Sequence, residues 1–153
     1  MGQIEAKTEA AVTVNIVSRW DSSRVLFSHQ TTAKREASGL AMRDAMGAAV
    51  KSGANLRGAN LSGAKVSGLT LIGVRPVLAI GPIGSESRTV FAWLTDAGLR
   101  IEAGCFFGSR DEFTTQLQHT HGDNQHADEY RAALHLIDAH ARIWTPAAEA
   151  AAA

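Results

Sequence analysis

Residues 54–73 read Ala-Asn-Leu-Arg-Gly, Ala-Asn-Leu-Ser-Gly, Ala-Lys-Val-Ser-Gly and Leu-Thr-Leu-Ile-Gly. Each five-residue unit starts with a small or apolar residue, has an apolar residue third and ends in Gly. The first positions are Ala54, Ala59, Ala64 and Leu69; the third are Leu56, Leu61, Val66 and Leu71. A period of five predicts that these two positions point inward on each side of a square coil, with Asn55, Arg57, Asn60, Ser62 and Lys65 outward. A fixed repeat of this kind is the signature of a solenoid. The expected architecture is therefore α+β: a short parallel β-solenoid of about one coil over 54–75, ended by Pro76, flanked by β-hairpins and capped by α-helices. A coil cannot bury its own ends, so flanking elements or a second chain must cover them.

Working outward, Ala33 to Ser52 favours helix by composition. A broad apolar stripe through Leu40, Ala41, Met42, Ala45, Met46, Ala49 and Val50 predicts a helix over 38–52, weakened at its start by Gly39 and stopped by Gly53. Upstream, Val12, Val14 and Ile16 alternate, Asp21-Ser22-Ser23 reads as a turn, and residues 24–29 return, predicting a hairpin over 12–29. Downstream, strands are expected over 77–105, with Val90 and Ala92 opposite Phe91 and Trp93. Asp96-Ala97-Gly98 forms the turn, and Leu99, Ile101 and Ala103 share a face. Ser109 with Glu112 forms a capping box opening the first of two helices over 110–145. The second carries Tyr130, Ala133, Leu134, Ile137, Ala141 and Trp144 on its buried face and ends at Pro146. Residues 1–146 then make one domain, with a tail over 147–153.

Hydrophobic residues make up 45% and charged residues 20% of 153, which suits a globular domain with a real core. Nothing predicts a membrane span. The opening MGQIEAKTEA lacks the apolar region of a secretory leader, and Ala6 argues against myristoylation. With a lone Cys105, no internal disulfide can form, and a cytoplasmic setting is expected. Net charge is +0 but polarised. Up to Pro76 ten Lys or Arg stand against five acids, and beyond it five Arg against ten acids. Such polarity steers an anion, or another subunit, to one half; scatter over a solvated surface is the plainer account.

Three places could carry chemistry. Gly81-Pro82-Ile83-Gly84-Ser85-Glu86-Ser87-Arg88 could form a backbone nest for an anion, with Arg88 adding a two-pronged phosphate contact; a connecting turn is the alternative. Three histidines, His119, His121 and His126, fall within eight residues. They suit either a metal-assisted hydrolase or a helix–loop–helix link capped by Asp123 or Asn124. The string His119–Asp123 is similar to the start of binuclear zinc hydrolases, but it joins two helices instead of following a strand. Cys105 with His121 or His126 could pair a nucleophile and a base, but between Gly104 and Phe106 it reads instead as an inert, packed thiol at a buried strand end. Trp20, beside Arg19 and Arg24, could offer a stacking surface.

Residues 104–137, GCFFGSRDEFTTQLQHTHGDNQHADEYRAALHLI, resemble the tails of small pentapeptide-repeat proteins of bacteriophages and prophages. In these, a repeat tract precedes a strand with GPIGS-type residues, a Gly-Cys-Phe strand end and a helix pair. The resemblance runs from about Val25 onward. It implies a phage accessory binding protein without catalytic activity, in the bacterial host cytoplasm, antagonising host defence by sequestering a small anionic nucleotide-type ligand. The expected ligand contacts are Gly81, Gly84, Ser85, Ser87 and Arg88, with His121, Asn124 and His126. No cofactor, structural metal or sequence-specific nucleic-acid partner is implied. A protein–protein interaction module that inhibits a host protein is the alternative. Mimicry of DNA is disfavoured, because Arg57 and Lys65 make the coil basic. A homo-oligomer is expected from the open coil ends.

Overall fold

The computed structural model describes residues 10–147, which fall into two compact units. Among the described residues, the first holds 10–60 together with 64–69, and the second holds 61–63 and 70–147. The expectations for residues 1–9, and for 148–153 of the tail, lie outside the described residues. Among the described residues no helix is long and apolar enough to cross a membrane.

In the first unit, β1 (Ala11–Ser18) and β2 (Val25–Thr32) form an antiparallel hairpin, running from Ala11 opposite Thr32 to Ile16 opposite Phe27. A bulge after Ile16 then sets Val17 against Val25. The Asp21 carboxylate closes the turn, accepting from the Ser23 backbone N–H at 3.0 Å and the Ser23 hydroxyl at 2.6 Å. These bonds favour the charged form, so they hold the Asp21 carboxyl below its usual range.

The helix expected over 38–52 is α2 (Ala41–Ser52), preceded by a separate turn of helix, α1 (Ala33–Ala37). Gly39 divides them. Its φ of 73° is left-handed, and a Cβ there would overlap the Gly68 backbone nitrogen. Of the expected stripe, Ala41, Ala45, Met46 and Ala49 are buried while Leu40, Met42 and Val50 are only half-buried, and left-handed Gly53 caps the helix end. Arg35 grips Asp44 with two bonds, of 2.8 and 2.6 Å.

The repeat run does not close into a parallel solenoid, and the sheets are antiparallel. It yields only two-residue strands: β3 (Ala59–Asn60), β4 (Lys65–Val66) and β5 (Leu69–Thr70). β3 joins the edge of β1 antiparallel, with Val17 opposite Asn60 and Ser18 opposite Ala59. Leu71 bridges antiparallel to Thr95, and the Ile72 N–H donates to the Leu94 carbonyl at 3.0 Å. The physical reason is the shortness of the run. A solenoid coil satisfies its backbone on coils above and below; with one coil's worth of repeats, those groups pair with flanking antiparallel strands instead. The five-residue rhythm itself survives. Leu61, Val66 and Leu71 are buried, and Gly58, Gly63, Gly68 and Gly73 all take φ between 76° and 83°. The expectation of a homo-oligomer, which rested on open coil ends, loses that support.

The second unit is a four-stranded antiparallel meander, β6 (Val77–Ile83), β7 (Arg88–Thr95), β8 (Gly98–Ala103) and β9 (Phe106–Ser109), in that spatial order. Strand β9 was not expected. Helices α3 (Arg110–His121) and α4 (Gln125–Trp144) follow. The alternation read in the sequence places Val90 and Ala92 of β7 with Ile101 and Ala103 of β8 in one core. Phe113, Leu117, Tyr130, Leu134 and Ile137 of the helices join the same core. Each large aliphatic side chain buried there contributes roughly 1.5–3 kcal/mol relative to exposure. The other face of β7 is buried too: Phe91 and Trp93 stack at 5.4 Å, and the Trp93 indole donates to Glu102 at 3.1 Å. The capping box forms as read, with the Glu112 N–H donating to Ser109 Oγ at 3.2 Å and the Ser109 N–H to Glu112 Oε2 at 2.8 Å.

Candidate functional site

Two tight turns and a helix face build a cleft in the second unit. The β6–β7 turn carries Glu86 and delivers Arg88 at the start of β7. The β8–β9 turn at Gly104-Cys105 presents Cys105 and Phe106. On α3, Phe113, Gln116, Leu117, Thr120 and His121 recur at helical spacing, so they form one face. Tyr130 of α4 completes the lining of a cleft of about 470 Å³.

The cleft has an aromatic floor and a charged mouth. Phe113 lies 5.3 Å from Phe106 and 5.9 Å from Tyr130, ring centre to ring centre. His121 stacks on Tyr130 at 5.8 Å with the planes 21° apart. At the mouth Arg88 is paired with Glu86. The Arg88 guanidinium lies across Gly104, where a Cβ would overlap it; φ at Gly104 is 59°. Glycine there serves both the left-handed turn and the passage of the arginine. Burial pushes the Tyr130 hydroxyl above its ordinary value, while Arg88 opposes that rise and Glu86 and Glu129 add to it.

The residues expected to hold a ligand divide sharply. Arg88 and His121 line the cleft together, and the His126 ring stands 5.8 Å from that of His121. Gly84 is pressed against Tyr130, where a Cβ would overlap the hydroxyl, and its N–H donates to the Glu129 carboxylate. The anion-binding donor foreseen at this turn thus already has an anion, supplied by α4. Gly81, Ser85 and Ser87 are exposed in and beside the turn and do not line the cleft. Asn124 caps α4 instead, accepting from the His126 and Ala127 N–H groups, both at 3.0 Å. That is the capping role weighed for it from sequence. His119 is exposed on α3, and among the described residues no group of three or more His, Cys, Asp or Glu could hold a metal ion.

Cys105 corrects another expectation. It is an exposed, free thiol at a hairpin tip, not a packed one. The missed signal was Gly104, whose left-handed φ makes the turn. Glu86, Gln116 and Thr120 were also missed; Gln116 and Thr120 follow from extending the face of α3 outward from Phe113 and Leu117.

No family matches this chain, and neither does any curated protein or solved structure.

Proposed function

We propose that this is a binding protein without catalytic activity that sequesters a small anionic ligand of the nucleotide type in the cleft. The observation that carries the reading is that Arg88 and His121 line one cleft with the stacked aromatic ring of Tyr130. A phosphate entering the mouth takes the Arg88 guanidinium from Glu86, whose side chain is 64% exposed and free to swing away. A base then lies against the His121–Tyr130 stack. The likeness of residues 104–137 to the tails of small phage repeat proteins motivates a role against host defence in the bacterial cytoplasm. A single unpaired thiol suits that compartment.

Calorimetry against cyclic and ADP-ribose-type nucleotides tests this. Binding by at least one, weakened roughly 10-fold or more in Arg88→Ala, is the expected result, because charge-assisted bonds are the strong ones. A silent panel, or full affinity in the variant, overturns it.

A second reading, a protein–protein interaction module, is favoured by α4. Leu136 and Ile143, seven residues apart on one helix face, are 51% and 63% exposed. Native mass and pull-down from host lysate separate the readings: a retained small molecule supports the first, and a host protein captured with no nucleotide bound, and lost in Leu136→Glu, supports the second.

A further inference from the structure

The tip of the first hairpin carries an unusual side chain. Trp20 is 77% exposed, yet it is held in place. Its ring lies on Gly58, where a Cβ would overlap ring atoms. The backbone beneath is fixed as well. The Arg19 N–H donates to the Gly58 carbonyl at 2.8 Å, and the Trp20 N–H to Ser18 Oγ at 3.2 Å. An indole left mostly in water forgoes much of the stabilisation that burying it would bring. Pinning it on a glycine presents a flat, preorganised aromatic face.

Three arginines belong to the same tip. The Arg19 guanidinium stands 6.0 Å from the ring centre and donates to the Ala59 carbonyl at 3.4 Å. Arg24 closes the same turn, its N–H donating to the Asp21 carbonyl at 3.0 Å, and is exposed. Arg57, also exposed, precedes the glycine under the ring; its N–H is held by Asn55 at 3.0 Å. The turn's own carboxylate, Asp21, is engaged by Ser23. Across residues 10–69, eight Lys or Arg stand against three Asp or Glu.

We infer that this tip is a binding surface for single-stranded nucleic acid that shares no residue with the lining of the cleft and is independent of its ligand. A base stacks on Trp20 while Arg24 and Arg57 take the flanking phosphates. A duplex keeps its base faces inside its own stack and offers the indole nothing. An acidic protein surface would engage the arginines but leave the flat ring unused. Recognition here reads no sequence, since every base has a π-face.

The test is fluorescence anisotropy with a labelled oligothymidylate and a duplex of equal length, at low and moderate salt. The single strand binds the wild-type protein at least ten-fold tighter than the duplex. Trp20→Ala weakens it by roughly ten-fold or more, the scale of a lost stacking contact, and Trp20→Phe keeps most of the affinity. Arg24→Ala and Arg57→Ala each flatten the logarithmic salt dependence by about 0.7, the value of one phosphate contact on a single strand. Arg88→Ala, in the cleft, changes none of this. No binding of the single strand at low salt overturns the proposal, as does equal affinity for duplex or full affinity in Trp20→Ala. If Trp20→Ala loses its fold because Gly58 is uncovered, the double variant Arg24→Ala/Arg57→Ala decides: unchanged affinity and salt dependence overturn the proposal. Loss of strand binding in Arg88→Ala overturns its independence from the cleft.

Discussion

Asp138 of α4 receives the Arg110 guanidinium through two parallel bonds, of 2.6 and 2.7 Å, and so ties the first residue of α3 to the middle of α4. The Arg110 bonds hold the Asp138 carboxyl below its ordinary range, against a smaller opposing effect of burial. Both side chains are over a third exposed, so the pair is expected to stabilise by no more than about 1 kcal/mol. A lowered carboxyl pKa means that this contribution is complete above the ordinary aspartate range near pH 4. It is lost as pH falls from there through the lowered value. Urea midpoints for wild type and Asp138→Asn are therefore expected to differ at pH 7 and to converge in acid. A gap that persists at low pH would assign the effect to packing.

Two glycines of the first unit call for opposite outcomes. Gly47 sits inside α2 with nothing within 4 Å of where a Cβ would stand. Gly47→Ala is expected to stabilise by about 0.5–1 kcal/mol, the usual helix-interior difference. Gly39→Ala meets the Gly68 backbone and a left-handed φ, and is expected to destabilise by at least about 1 kcal/mol. Melting curves of the two variants moving in the same direction would contradict the assignment.

Asn124 separates a structural role from a ligand role. As the α4 cap, its replacement by Ala is expected to cost about 1 kcal/mol of stability, with Asp restoring most of it. Ligand affinity in the cleft should not change. A loss of affinity larger than the loss of stability would return Asn124 to the ligand contacts.

The exposed Cys105 thiol is expected to react with a disulfide reagent in the folded protein without denaturant, one equivalent per chain. Because it lines the cleft, a bound nucleotide should slow the reaction. Reaction only after unfolding would mean that the thiol is packed.

The legible parts of this chain were those with local causes. The turn at Asp21–Ser23, the strand alternation of Val90 and Ala92, the box at Ser109 and Glu112, and the stop at Gly53 each arise within a few neighbouring residues. The five-residue rhythm was legible for the same reason: it sets which side chains are buried and where the chain turns. The partners of Ala59 and Leu71 were not, because β1 and the end of β7 reach them from distant sequence, and strand pairing leaves no mark in the repeat. The cleft was half legible. Arg88 and His121 stand out by type, but nothing in either neighbourhood announces that they line one cleft. The turn at Gly84 read as an open anion donor only because Glu129, which occupies it, lies 45 residues away.

The repeat run has one more consequence, for anyone dividing the chain. Residues 61–63 belong with the second unit, 64–69 with the first, and 70–147 with the second again. No single cut releases either unit whole. A fragment ending at 60 forfeits the buried Val66, and one beginning at 70 forfeits the buried Leu61. The repeats change unit three times along the chain, at 60/61, 63/64 and 69/70, so trimming to a minimal domain should fail wherever the scissors fall among them.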